Sequence, residues 1–259
     1  MHDWMRFEQI DVSEELRKRL RLSIEQDVAG ERRFGILFSG GLDSSILACM
    51  GAEFGEAVLY AVGTRGCFDL KAAETRAAKL GLPLRQIVAL ENDVISSCDE
   101  LVTIFNRYLK RTPTRLELSI FAPMVMAMRN IEEGTVLSGQ GADEEFGGYS
   151  RYMSMKAGER RHAMEEDLRM LLDEGRKRDN AVAAAYGKRL LMPFLGNEVV
   201  EFSRQVGDGE KVSNGERKIV LRRIACSLGL DAWDAPKKAM QYGSGFEKVI
   251  KKRYEWSGG

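Results

Sequence analysis

The chain has 259 residues, of which 44% are hydrophobic and 30% charged, a composition that supports a folded core and excludes disorder over most of its length. Thirty-nine basic residues balance thirty-nine acidic ones, so net charge gives no support to a nucleic-acid or anionic-membrane partner. No apolar run approaches the roughly 18 residues that cross a bilayer, and Met1 to Ile10 mixes His2, Asp3, Arg6 and Glu8 with its apolar residues, unlike a signal peptide. The sequence therefore reads as a soluble cytoplasmic protein without a membrane partner. Cys49, Cys67, Cys98 and Cys226 lie far apart with no C-x-x-C pair, and read as reduced, mostly buried thiols and not as a zinc or redox site.

The first predicted element is a helix. Asp11 with Glu14 three residues on has the spacing of a capping box, and Leu16, Leu20, Ile24 and Val28 recur at helical period before Gly30 stops the segment. Phe34 to Phe38 is a short two-sided apolar run, as expected of a central parallel strand, and Ser44 to Phe54 follows as a helix. The pairing repeats with a strand at Ala57 to Val62 and a helix from Leu70 to Leu80, closed by Gly81 and Pro83. A third strand is expected at Leu84 to Ala89, then helical chain to about Leu109, a turn at Thr112 and Pro113, another helix to about Arg129, and a fourth strand at Thr135 to Leu137. Beyond Tyr149 the pattern is helical: a charged segment at Lys156 to Arg178, then Glu198 to Val206, Glu216 to Leu228 and Gly245 to Tyr254. The expected fold is an α/β parallel sheet flanked by helices with a helical C-terminal portion. The expected organisation is an N-terminal helix in 1–30, a nucleotide-binding core in 31–150 and a helical part in 151–259.

Directly after the first strand comes Ser39-Gly40-Gly41-Leu42-Asp43-Ser44-Ser45, leading into a helix. Ligands of an open parallel sheet bind beyond the carboxyl ends of the strands, where a helix N-terminus presents N–H groups and a positive dipole end to an anion. Gly40 and Gly41 let the backbone approach phosphate oxygens, and Ser39, Ser44 and Ser45 can add hydroxyl donors. Asp43 supplies a carboxylate of the kind that Mg²⁺ bridging phosphates requires. The lysine of a Walker A loop and the spacing of a Rossmann G-x-G-x-x-G are both missing. A second string, Ser138-Gly139-Gln140-Gly141-Ala142-Asp143-Glu144-Glu145-Phe146-Gly147-Gly148-Tyr149, follows the fourth strand and offers Asp143 as a second carboxylate. Taken singly, each string has a bland alternative, a small-residue turn or an acidic surface loop.

Together the two strings resemble the asparagine synthetase family, in its C-terminal synthetase domain, part of the wider group of PP-loop ATP pyrophosphatases with the adenine nucleotide alpha-hydrolase-like fold. Asp69-Leu70-Lys71-Ala72-Ala73, Pro193-Phe194-Leu195 and Pro236-Lys237-Lys238 before Gly243 extend the likeness. The resemblance implies that Ser39 to Ser45 hold pyrophosphate, that Asp43 and Asp143 bind Mg²⁺, and that Leu37, Val62, Ser138 and Gly139 line the adenosine site. It further implies that Lys237 is the lysine neutralising charge at the α-phosphate, with Lys238 its competitor. The implied cofactors are ATP and Mg²⁺, and the implied reaction adenylates a carboxylate and then forms an amide with ammonia or an amine.

Family members of full length begin with a glutaminase domain whose nucleophile is a cysteine after Met1. Here position 2 is His2, so nitrogen is expected from ammonia, another amine or a separate glutaminase subunit. A homo-oligomer is compatible with the sequence. Gln140 stands where these synthetases commonly carry glutamate, Leu191 where they carry arginine and Gly196 where they carry aspartate, so the ATP half reads as intact and the acceptor half as altered. Alternatives within the resemblance are a PP-loop enzyme acting on another metabolite, a peptide or tRNA, and a nucleotide-binding homologue without catalysis. Arg115, Glu117, Arg178 and Asp179 could face the site from the helical portion or form plain surface pairs.

Overall fold

The computed structural model describes residues 11–231 and 243–255. Helix α1 (Val12–Asp27) opens at Asp11, whose carboxylate accepts from the backbone N–H of Ser13 at 2.9 Å and from its hydroxyl at 2.7 Å. The expected capping box does not form, because Glu14 turns forward to the Arg17 guanidinium. Leu16, Leu20 and Ile24 are fully buried on one stripe, as their spacing predicts.

Strands β1 (Arg33–Leu37), β2 (Glu56–Thr64), β3 (Leu84–Ala89) and β4 (Thr135–Leu137) fall at the expected places, with α2 (Leu42–Gly51), α3 (Phe68–Leu80), α4 (Glu91–Ile104) and α5 (Arg115–Asn130) between or beside them. Helix α2 starts two residues earlier than the periodicity suggests, which puts Asp43, Ser44 and Ser45 in its first turn. The later elements are α6 (Ala142–Phe146), α7 (Ala157–Met170), α8 (Arg176–Ala185), β5 (Arg189–Leu191), α9 (Asn197–Ser203), α10 (Asp208–Lys211), β6 (Val212–Ser213), β7 (Glu216–Arg217), α11 (Ile219–Ser227) and α12 (Phe246–Glu255). Strand β5 has no sequence signal because three residues, one of them an exposed arginine, carry no period. The helix expected from Glu216 starts only at Ile219, since Asn214 and Gly215 (φ 51° and 76°) turn the chain into the β6–β7 hairpin.

The five main strands form one parallel sheet in the order β3-β2-β1-β4-β5. From β1 the chain winds outward through β2 to β3 and then returns to the other side of β1 as β4. The strand order therefore reverses between β1 and β4, and the crevice outside their carboxyl ends is the binding position such sheets provide. Alternation along the strands divides the core in two. Phe34, Ile36, Ala57 and Leu59 face one cluster with α1, α2, α3, α9 and α11, and Val58, Tyr60 and Val136 face the other with α4, α5, α8 and α12. All four cysteines are free. Only Cys98 is buried; Cys49 and Cys67 are half-buried and Cys226 is exposed, contrary to the expectation of mostly buried thiols. Among the described residues no helix is long and apolar enough to cross a membrane.

Candidate functional site

The two glycine-bearing turns border the reversal between β1 and β4. Gly40 takes φ +69°, and a side chain there would press on the Ala72–Ala73 backbone of α3 at 2.6–2.7 Å, so Gly40 and the small residues of α3 together let the loop lie on the helix. The Gly41 N–H donates to the Ser39 hydroxyl at 3.2 Å, and the Ser44 hydroxyl donates to the Gly41 carbonyl at 3.2 Å. Gly41 is the N-cap of α2 and lends no side chain to it. The Ser45 hydroxyl is enclosed without a hydrogen-bond partner in the first turn of the same helix. An orphaned donor beside a dipole end is the polarity a phosphate oxygen would satisfy.

Across the reversal, the Ser138 N–H donates to Leu191 O at 2.9 Å and its hydroxyl accepts from the Gln140 N–H at 3.3 Å, which fixes the second turn to the end of β5. Gly139 lies against Asp43, where an added Cβ would meet the Asp43 Cβ at 3.2 Å. Leu37 and Val62 stand half-buried near the carboxyl ends of neighbouring strands, on the face shared with α5. The structure thus brings together Leu37, Ser39, Gly40, Gly41, Asp43, Ser44, Ser45, Val62, Ser138, Gly139 and Asp143. Lys237 and Lys238 lie outside the described residues. The described residues on either side touch α3, Asp231 pairing with Lys79 and Gly243 lying against Asp69.

The centre of this arrangement is a residue that the sequence reading passed over. Lys218 Nζ donates to Asp43 Oδ1 and Oδ2 at 2.7 and 2.6 Å and to Asp143 Oδ1 at 2.7 Å, so the two aspartates converge on one cation. Burial opposes the charge of this ammonium, yet the carboxylates of Asp143 and Asp43 outweigh it and hold Lys218 above the ordinary lysine range. The residue takes φ 56°, a left-handed conformation costly for lysine, directly after the β6–β7 hairpin. Neighbouring Arg217 donates to Gly148 O at 2.6 Å and ties that hairpin to the second string. The Asn-Gly dipeptide at 214–215 was the available signal: it predicts a hairpin that ends the preceding segment at Lys218.

Among the described residues no group of three or more His, Cys, Asp or Glu could hold a metal unaided. The pair Asp43 and Asp143 is a donor set of the kind Mg²⁺ takes, one or two protein carboxylates with phosphate and water oxygens completing the shell. Both acids beside Asp143 are buried, and Oε1 of Glu145 is enclosed without a hydrogen bond. Glu144 accepts from the Tyr149 hydroxyl at 2.5 Å, and Glu145 from Ser203; burial pushes the Glu145 carboxyl up to about 7.

The acceptor-side departures have a partly structural origin. Gly196 has an ordinary backbone (φ −62°, ψ 142°), but any side chain would overlap the Ser23 hydroxyl of α1, which donates to Pro193 O at 2.9 Å. Glu117 is a network centre: it accepts from Arg111 at 2.5 and 2.8 Å, from Arg178 at 3.0 Å and from the Thr114 N–H at 2.8 Å, closing the capping box of α5. Arg115 lies at the first position of the same helix, on an exposed site.

The asparagine synthase family model matches residues 15–178 and 153–247 of this chain. The chain belongs to the asparagine synthase family. Within it, the chain is 32% identical over 93% of its length to a Methanocaldococcus jannaschii protein provisionally named asparagine synthetase (glutamine-hydrolyzing) 1. It is 27% identical over 89% of its length to asparagine synthetase B (glutamine-hydrolyzing) of Escherichia coli. It spans about half the length of these relatives, 51% of the first and 44% of the second. A solved structure described as the predicted subunit of tRNA methyltransferase from Methanocaldococcus jannaschii is 19% identical over 82% of this chain and 95% of that one, with a TM-score of 0.36, a likeness too loose to bear on substrate.

Proposed function

We propose that this member of the family is an ATP-dependent ligase that adenylates a carboxylate, aspartate or a related acid, releases pyrophosphate, and passes the acyl group to ammonia or an amine. The observation that carries the reading is the convergence of Asp43 and Asp143 on the Lys218 ammonium at the reversal of strand order. Backbone and hydroxyl groups of Ser39 to Ser45 would receive the β- and γ-phosphates, and Leu37 and Val62 would flank the base with Ser138 and Gly139 at its edge. Asp43 and Asp143 would hold Mg²⁺, which supplies charge neutralisation at the phosphates. Lys218, released from the aspartates, would then reach toward the departing pyrophosphate as a second cation, with Lys237 serving the α-phosphate. Most of the rate then comes from positioning and fixed charge. Nitrogen would come from ammonia in solution or from a separate glutaminase subunit.

The test is ATP/pyrophosphate exchange across the common amino acids and small carboxylates, with and without ammonium. Exchange that requires one carboxylate and is lost in Asp43→Asn and Asp143→Asn supports the reading. Exchange only with added tRNA would transfer the site to a different substrate class, and nucleotide binding without exchange under every condition would remove catalysis.

A further inference from the structure

One buried acid in the first turn of α8 keeps a carboxylate oxygen without a hydrogen bond. Asp179 is 7% exposed, and its Oδ2 is enclosed without a hydrogen bond; the Nε of adjacent Arg178 is likewise enclosed and unpaired. A carboxylate left in that condition weakens the fold, and such groups persist where chemistry uses them. Topology fixes which end of the sheet it occupies. Helix α8 leads into β5, which runs parallel to β4, so the first turn of α8 stands toward the carboxyl-end rim of the sheet. Helix α5 leads into β4 in the same sense, and its first-turn Glu117 meets Arg178 there at 3.0 Å.

Glu117 is saturated by Arg111, Arg178 and Thr114, which anchors Arg178 and leaves Asp179 as the available acid of the cluster. The charge of Glu144, next in sequence to Asp143, acts on Asp179 as well. Burial, opposed by Arg178 and reinforced by Glu144, pushes the Asp179 carboxyl up to about 7, the range in which a carboxylate serves as a proton acceptor near neutrality. The nucleotide reading places adenosine against Leu37 and Val62 with Ser138 and Gly139 at its edge, so the rim beyond Gly139, toward β5, is left for the acyl group and its attacker. Gln140, on that side, is an amide and cannot take up a proton.

We propose that Asp179 receives the amine nucleophile of the second half-reaction, binding its ammonium form and taking one proton from it as the carbon–nitrogen bond forms. The nitrogen lone pair freed by that transfer attacks the acyl carbon. The bond from that carbon to the AMP oxygen breaks, AMP leaves with the electron pair, and the second nitrogen-bound proton passes to solvent. The assignment rests on the acyl-adenylate reading above and adds a catalytic residue to it.

The experiment compares the wild-type chain with Asp179→Asn and Asp179→Glu, using whichever carboxylate supports exchange in the wild type. Four quantities are read: ATP/pyrophosphate exchange, hydroxamate formation with hydroxylamine, amide formation with ammonium chloride, and the Tm. Hydroxylamine is mostly unprotonated at neutral pH and has no need of the acceptor. Asp179→Asn is expected to keep exchange and hydroxamate formation within about threefold while amide formation falls on the order of a hundredfold, the usual contribution of a general base. Asp179→Glu is expected to restore part of the loss, and the Tm of the asparagine variant to stay level or rise as the buried charge is removed. Amide formation retained by Asp179→Asn, or all three reactions falling together with a lower Tm, overturns the assignment and leaves the acyl-adenylate reading intact. Absence of exchange with every carboxylate in the wild type overturns both. Should the asparagine variant misfold, Asp179→Ser gives the same comparison.

Discussion

Gly148 stands where a single added methyl group would overlap both Asp143 Oδ1 and Lys218 Cε. Its N–H also donates to Asp143 O at 2.8 Å, so its position is set by the same loop whose side chain it must clear. Gly148→Ala is therefore expected to push Asp143 and Lys218 apart, to destabilise the chain by about 1–3 kcal/mol as overpacking does, and to weaken Mg·ATP binding at least about tenfold, one pairing's worth of energy. Isothermal titration and urea unfolding measure the two effects. Gly158→Ala, in open space on α7, is the control and should bind nucleotide as the wild type does.

Lys218 makes a metal-dependent prediction. Its side chain is 4% exposed, against 18% for Asp43 and 23% for Asp143, so removing it leaves two carboxylates facing each other with water able to reach them only partly. Lys218→Met should cost on the order of 3 kcal/mol in metal-free buffer, the scale for breaking a buried pair. Added Mg²⁺ should raise the Tm of Lys218→Met more than that of the wild type, because the ion no longer competes with the ammonium. Equal Mg²⁺ shifts in the two proteins would count against the aspartates as the metal site. ATP/pyrophosphate exchange should fall in the variant whether or not stability is restored.

The part of this site that follows from local spacing was legible in the sequence. Ser39 to Ser45 sit between a two-sided apolar strand and a helix, and a parallel sheet puts any such turn at its binding end, so the sequence alone places Asp43. Asp143 was legible for the same reason, one turn after β4. Lys218 was not, because its importance comes from a contact spanning 175 residues, and a lysine after a hairpin looks the same in sequence whether it is solvated or buried. Strand β5 is not legible because three residues cannot show a period, and the packing reason for Gly196 is not legible because Ser23, which fills the space a side chain would need, comes from a helix distant in sequence.

Glu117 gives the pH prediction. The Arg111 guanidinium, against the cost of burial and aided by the Thr114 N–H and Arg178, holds its carboxyl well below the usual carboxylate range. A depressed folded-state value means that the ionised form stabilises the fold above the unfolded value, near 4.5, and that this contribution fades as pH falls below it. Glu117→Gln should therefore be less stable than the wild type by on the order of 2–4 kcal/mol from pH 6 to 8, with the gap narrowing steadily below about pH 4.5. Urea unfolding of both proteins over that pH range tests it, and a gap that does not change with pH would rule out the charge as its source.

Ser23 and Gly196 make a prediction in which the sign of one substitution depends on the other. Gly196 is the N-cap of α9 and caps it with no side chain, so aspartate there would ordinarily add about 1 kcal/mol by accepting from the first-turn N–H groups. In this chain an added Cβ would lie 3.0 Å from Ser23 Cβ and overlap its hydroxyl, which is itself committed to Pro193 O. Gly196→Asp alone should thus destabilise by about 1–3 kcal/mol, the range for overpacking a buried contact. Ser23→Gly removes both obstructing atoms, at a cost of roughly 1 kcal/mol in the interior of α1, and in that background Gly196→Asp should become stabilising. A double-mutant cycle by urea unfolding reads the coupling directly, and additive effects would show that the glycine at 196 is not there to admit Ser23. Exchange activity of the double variant separates packing from chemistry. If its carboxylate preference matches that of the wild type, the missing aspartate reflects how α1 packs and not which acid the site accepts.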